Sequence, residues 1–255
     1  MARSAAPSRK PSPAGKRSLN PLYVVLGVVA LAAIGFFVYR GTGGGGKAAT
    51  QPVQVVLSQA ELNRVQGISL GSENAPVVIW EFADYQCPGC ANFATFISPL
   101  IKERLVNSGQ ARFVFYDFPL VGNHPHAFLA ARAGRCANEQ GRFWEYHDVI
   151  FAKQPTWSRE RDPAGLFVDY AQQVGLDRGK FEACLYSDRY AREVTESMQF
   201  GQAQGVEGTP SLFVNGKRLP QIPDFQELQA IVQREAGGGA AGAPAVGGDT
   251  AGHAH

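Results

Sequence analysis

Apolar positions along the chain fall into two unlike groups. From about residue 52 to 236 they recur in short runs and helical spacings, as expected of one globular block. Val77–Ala83 (VVIWEFA) is β-branched and aromatic with one acid inside it, and reads as a buried central strand. Pro76 precedes it, where a missing N–H does little harm. A helix is predicted from around Cys87 to about Asn107, kinked at Pro99. Residues 111–118 (ARFVFYDF) form a second predicted strand. Residues 124–204 show mostly helical spacing, with breaks near 154–163 and 175–178. Residues 210–214 and 218–219 flank Asn215-Gly216, a strong hairpin signal. Residues 225–235 close the block as a helix, and no internal repeat is seen.

The second group is one long apolar run. Residues 21–39 (PLYVVLGVVALAAIGFFVY) contain no charge. At ~1.5 Å per residue, that length approaches the ~30 Å of a bilayer core. Tyr23 and Tyr39 sit near its ends, where amphipathic rings favour the interface. Residues 1–20 carry Arg3, Arg9, Lys10, Lys16 and Arg17 and no acid, and are rich in Ser, Pro and Ala. They read as a disordered cytoplasmic tail. Ala30-Leu31-Ala32 matches a signal-peptidase pattern, but the run is longer than a signal h-region. The expectation is therefore a single uncleaved transmembrane anchor. Residues 40–51 (with GTGGGG inside) are expected to be a flexible linker, and 237–255 a disordered Gly/Ala-rich tail. His253 and His255 read as part of that solvated tail.

Composition alone says less than its distribution. The net charge of +2 over 255 residues excludes a strongly basic nucleic-acid domain. All 22 acids lie beyond residue 47, so a positive stub precedes a mildly acidic block. Four cysteines are too few for a disulfide-rich miniature scaffold, and all lie in the block.

Cys87-Pro88-Gly89-Cys90 carries the candidate chemistry, because it follows a strand and opens a helix. A CxxC can also be half of a zinc site, but no second ligand pair completes one here, and no metal is expected. At a helix N-terminus, unsatisfied N–H groups and the helix dipole favour thiolate over thiol. Cys87 is thus the expected attacking and leaving sulfur. Pro88 suits the first helical turn, and Cys90 is the more buried partner that closes the disulfide. Thr209-Pro210 enters a strand from a Gly-rich loop, and is either a cis peptide or an ordinary trans one.

Three stretches bear a wider likeness. Residues 76–90 (PVVIWEFADYQCPGC), 115–147 (FYDFPLVGNHPHAFLAARAGRCANEQGRFWEYH) and 205–216 (GVEGTPSLFVNG) resemble the DsbA-like branch of the thioredoxin superfamily. The likeness covers most of residues 70–236. It implies an α/β thioredoxin-like fold with a helical insertion at about 124–204 in a domain of 52–236. It also implies that Pro210 is cis beside the CxxC pair, and that Thr209 offers backbone groups to a cysteine-containing peptide. Glu81 would move the proton of Cys90, as an acid at this spacing does in the family. Thioredoxins often pair that acid with a lysine of the next strand, where this chain offers only Arg112. Exposure of Glu81 at a sheet edge is the alternative.

Cys136 and Cys184 are expected either to pair as a structural disulfide or to be two buried free thiols. His124, His126 and His147, with Phe143, Trp144 and Tyr146, read as packing residues. The expected function is an extracytoplasmic thiol-disulfide oxidoreductase that introduces disulfides into secreted or envelope proteins. Its substrates would be protein or peptide thiols, its reoxidant a quinone-linked membrane partner, and it needs no cofactor. An envelope reductase or an isomerase is the alternative, since Pro-Gly lacks the histidine of strong oxidants and Thr before the proline occurs in isomerases. A non-redox peptide-binding or chaperone-like module comes last.

Overall fold

The computed structural model describes residue 22, residues 25–32 and residues 48–237. The chain divides into two compact units, residues 1–45 and 46–255. In the first, residues 22 and 25–32 are helical, with Leu22, Val25, Leu26, Val28, Val29 and Leu31 exposed. Among the described residues no helix is long and apolar enough to cross a membrane. The expected tail of 1–20, most of the expected span of 21–39, and nearly all of the C-terminal tail lie outside the described residues.

The second unit is built on a five-stranded sheet in the order β1-β3-β2-β4-β5. The strands are β1 (Ile68–Leu70), β2 (Val77–Ala83), β3 (Ala111–Asp117), β4 (Ser211–Val214) and β5 (Lys217–Arg218). β2 runs parallel to β3 and antiparallel to β4. β2 is therefore central and buried on both faces, which explains why its sequence is nearly unbroken in apolar residues. Asn215 (φ 48°) and Gly216 (φ 76°) both occupy the left-handed region, as the tight β4–β5 hairpin requires.

The helices are α1 (Gln59–Leu62), α2 (Pro88–Phe96), α3 (Ser98–Leu100), α4 (Ala127–Glu139), α5 (Phe143–Ala152), α6 (Gln154–Trp157), α7 (Ala164–Gln173), α8 (Arg178–Tyr186), α9 (Ala191–Ala203) and α10 (Phe225–Gly237). Side-chain alternation along β2 sorts them into layers. Val77 and Ile79 pack with Phe93, Leu228 and Val232, from α2 and α10. Phe82 faces the other way, against Tyr116, Phe118 and Phe200, the last from α9. The helices α4 to α8 form a subdomain whose core, including Phe128, Tyr146, Trp157, Phe167 and Phe181, is continuous with Tyr85, Cys90 and Phe115.

Four local expectations are revised. The helix expected from Cys87 to Asn107 is interrupted: α2 stops at Phe96, Ile97 caps it, and after α3 the chain winds as a π-helix over Ile101–Val106. Pro99 sits in the first turn of α3, where it lacks no needed donor. Strand β1 was not foreseen, because three residues are too few to show alternation. The capped turn α1, held by a Ser58–Glu61 capping box, also escaped notice. Residues 48–51 of the expected flexible linker are tied down. Ala48 is buried, the Ala49 N–H donates to Asp188 Oδ1 (2.8 Å), and Ala49 O accepts from Arg132 Nη1 (2.7 Å). The attachment continues where Val53 N–H donates to Thr195 Oγ1 and Gln199 Nε2 to Val55 O.

Candidate active site

Strand β2 ends at Ala83, and the turn that follows delivers Cys87 as the N-cap of α2 with Pro88 in its first turn. Cys90 is one turn inside, completely buried, while Cys87 is partly exposed. Both thiols are free. The Cys87 thiol is lowered to about 5. The main cause is a hydrogen bond from the Cys90 thiol, with Thr209 and the N–H groups of Cys90 and Gly89 adding to it against partial burial. Cys90 is pushed well above an ordinary thiol, chiefly by burial and then by the hydrogen bond it donates to the Cys87 sulfur. One cysteine is thus prepared as a thiolate and the other to stay protonated.

The Thr209-Pro210 peptide is cis, and the Cys87 Sγ–H donates to Thr209 O at 3.3 Å. Gly89 allows this approach: a Cβ there would stand 3.2 Å from Pro210 Cδ and 3.6 Å from Cys87 Sγ. Beside the pair lies a shallow apolar groove lined by Gly89, Phe93, Phe96, Ile97, Pro210 and Ile222. Phe96 is 67% exposed there, an unusual position for a phenylalanine.

Glu81 lies on β2 opposite Phe115 and Leu212, fully buried, with neither carboxylate oxygen hydrogen-bonded. Edge exposure is excluded by the central place of β2. Burial raises its carboxyl to about 8, and the Lys102 ammonium pulls against that rise. The structure therefore supplies a cation from the π-helical turn. Arg112 pairs in register with Val78, on the opposite face of the sheet from Glu81. Lys102 itself is anchored by Asp148 (2.6 Å) and lies 4.9 Å over the Trp144 ring. His147 is buried, its Nδ1 2.8 Å from Asp148 Oδ1, and burial lowers its imidazole.

Other residues at the site gave little or no sign of this role in the sequence. The Asp84 carboxylate accepts from the N–H groups of Gln86 (2.6 Å) and Leu120 (2.7 Å) and meets His124 Nδ1 at 2.7 Å. Asp84 N–H also donates to Cys90 Sγ at 3.4 Å. His124, expected only to pack, thus braces the CxxC turn. An acid three residues before Cys87 was a visible signal; the partner at position 124 was not. Gln154 Nε2 donates to the carbonyls of Tyr85 (2.7 Å) and Cys87 (2.9 Å), a contact with no local sequence signature.

Cys136 on α4 and Cys184 on α8 are both buried and joined by a disulfide. Among the described residues no cluster of His, Cys, Asp or Glu could hold a metal ion.

A family model described as thioredoxin matches residues 63–234. The chain is 27% identical over 167 residues to disulfide bond formation protein D of Bacillus subtilis, covering 65% of this chain and 75% of that protein. It is 38% identical over 162 residues to a Na(+)/H(+) antiporter NhaA of Salinispora tropica, covering 64% of this chain but only 24% of the antiporter. This chain therefore spans about a quarter of the length of such antiporter relatives. Among solved structures, oxidised BdbD from Bacillus subtilis superposes with a TM-score of 0.62 at 26% identity, over 75% of this chain and 100% of that one. A DsbA of Mycobacterium tuberculosis superposes at 0.57 and 22% identity, over 67% of this chain and 93% of that one, a likeness of fold.

Proposed function

The chain belongs to the thioredoxin family, and from that premise we propose that it is a thiol-disulfide oxidoreductase of the DsbA kind, working outside the cytoplasm to put disulfides into other proteins. One observation carries the reading: two thiols one helical turn apart, one lowered to about 5 and partly exposed, the other buried and raised. Stabilising the reduced form in this way favours release of the disulfide to a substrate.

In the oxidised enzyme, a substrate thiolate attacks Cys87 Sγ and the Cys87–Cys90 bond breaks. The electron pair leaves on Cys90, which takes a proton. Glu81, raised to about 8 and so largely protonated at neutral pH, is the proposed donor. A second substrate thiolate then attacks the substrate sulfur of the mixed disulfide. Cys87 departs as a thiolate, a good leaving group because its pKa is low. Two substrate thiols have become one disulfide, and the enzyme holds the two electrons as a dithiol. A membrane oxidant of the quinone-linked kind would remove them. Thr209 O, already paired with Cys87 Sγ, and the groove at Phe96 and Ile222 are suited to hold the substrate backbone and an apolar side chain beside its cysteine.

The reading includes an N-terminal membrane anchor at residues 21–39, supported by its charge-free length and the five basic residues before it. The same orientation leaves all four cysteines on the oxidising side, which agrees with the buried Cys136–Cys184 bond.

The test is a Cys90→Ala trap. The variant is expected to accumulate mixed disulfides through Cys87, which mass spectrometry then identifies; an enzyme that traps nothing in oxidising medium does not exchange with protein thiols. Direction is settled by the reduction potential against glutathione. A value near the ~−270 mV of thioredoxin would overturn the oxidase reading and leave the reductase.

A further inference from the structure

The helical subdomain meets the redox turn through ring contacts of Tyr85 with His147 and Phe151 and through the buried amide of Gln154. Gln154 stands at the start of α6, just after α5, and is almost fully buried. A primary amide has two N–H donors on one nitrogen. Here that nitrogen serves two backbone carbonyls, of Tyr85 at 2.7 Å and of Cys87 at 2.9 Å. These acceptors flank Gln86, inside the turn that leads β2 into α2. The Cys87 carbonyl also accepts the first intrahelical bond of α2, from the Ala91 N–H at 3.1 Å. Gln86 adds two more ties, accepting from the His126 N–H (2.8 Å) and donating to Ser158 O (3.4 Å).

We propose that Gln154 is a positioning residue of the redox site: its amide fixes the carbonyls of Tyr85 and Cys87, and so keeps the N–H groups of Gly89 and Cys90 directed at the Cys87 sulfur. The proposal rests on the redox reading above and adds a means by which the subdomain sets the thiolate's stability. The argument is electrostatic. The Cys87 carbonyl belongs to the first peptide unit of α2, and its orientation fixes where the opening N–H groups of the helix point. A carbonyl oxygen carries partial negative charge, and a donor on it both neutralises that charge and pins the peptide plane. Without the amide, Tyr85 O loses its hydrogen-bond donor in a dry site, and the turn is free to rotate toward water. Each such rotation removes donors from the sulfur and favours thiol over thiolate. Asp84, His124, Glu81 and Cys90, the titratable groups packed around the turn, are unchanged by substitution at 154.

The experiment uses Gln154→Met, which keeps the volume and removes both donors, and Gln154→Glu, whose ionised carboxylate can only accept and faces two carbonyls. The full chain is reduced, and the Cys87 thiolate is followed by its absorbance near 240 nm as pH falls, alongside the potential against glutathione and thermal unfolding. The expected result for Q154M is a rise of about one unit in the Cys87 pKa, roughly tenfold less stabilisation of the thiolate. The potential should fall by the matching ~30 mV for this two-electron couple. Q154E should move both further in the same direction, and serves alone if Q154M does not fold. If the variants melt earlier while the Cys87 pKa and the potential stay at wild-type values, Gln154 is a structural residue and the inference is wrong. A wild-type Cys87 with an ordinary thiol pKa would instead overturn the redox reading beneath it.

Discussion

The two cysteine pairs bring the same two sulfur atoms each and behave as opposites. Cys136 and Cys184 lie on α4 and α8, both buried in the apolar core of the subdomain and bonded to each other. Cys87 and Cys90 sit at the mouth of α2, one partly exposed, both free, with their thiols pushed in opposite directions. The difference lies in what surrounds the sulfur. The first pair meets carbon, which gives an attacking thiolate no path and a departing one no stabilisation. The second meets N–H groups at a helix start, a partner thiol and an open face. Sulfur becomes reactive here chiefly through the partner thiol that donates to it, with the peptide groups adding to the effect.

Substitutions can break that contrast in graded steps. Cys87→Ser should reduce disulfide exchange to background, measured as oxidation of a dithiol peptide, while Cys136→Ala/Cys184→Ala should retain exchange. If the double variant were the inactive one, the assignment of the two pairs would be reversed. Its cost should appear in stability instead, about 2–4 kcal/mol for a bridge joining residues 48 apart, read by urea denaturation of the oxidised proteins.

Glu81 sharpens the comparison through pH. Its folded carboxyl is raised to about 8 from an ordinary 4.5, so the folded state binds the extra proton between those values. The stability from Glu81 is then full below pH 4.5 and is lost as pH rises toward 8, by at most about 1.4 kcal/mol per pH unit. Cys87 in the reduced protein has the opposite sign: its contribution is present above pH 9 and is lost as pH falls through about 5. Comparing Glu81→Gln with wild type in the same redox state isolates the first effect. The variant should gain relative to wild type as pH climbs from 5 to 8, and a pH-independent difference would mean that Glu81 does not titrate there. Exchange by Glu81→Gln should also slow at the step in which Cys90 gains its proton. The smallest expected effect is that of Lys102→Met. Removing the ammonium that opposes the rise should move the Glu81 titration upward by less than one unit, visible in the same stability profile.

The path from sequence to site was uneven for physical reasons. Strand β2 was legible to its end residues because a strand buried on both faces is a continuous apolar run, and Glu81 stood out as its one acid. The hairpin at Asn215-Gly216 was legible because few residue pairs accept two left-handed conformations. Cys87 and Cys90 announced themselves by spacing, whereas the cis state of Pro210 and the role of Glu81 came through a family likeness. Gln154 and His124 were not legible, because each meets the redox turn across 40 or more residues of chain. For Lys102 the family pattern points to the next strand, whereas the helical turn before that strand supplies the charge. Nor did the Gly-rich run before residue 48 hint that the chain just after it is tied down.

That attachment has a mechanical consequence. Tension arriving along the chain from its N-terminal side first meets the bonds at Ala49, Val53 and Val55. Their partners are Arg132 on α4, Asp188 in the bend between α8 and α9, and Thr195 and Gln199 on α9. Arg132 also holds Leu185 O, one residue from Cys184, so the load passes into the two helices that the Cys136–Cys184 bond crosslinks. Strand β1 and the redox turn lie behind this clamp. A pull on the chain at Ala49 therefore enters a covalently braced frame before it reaches the redox turn.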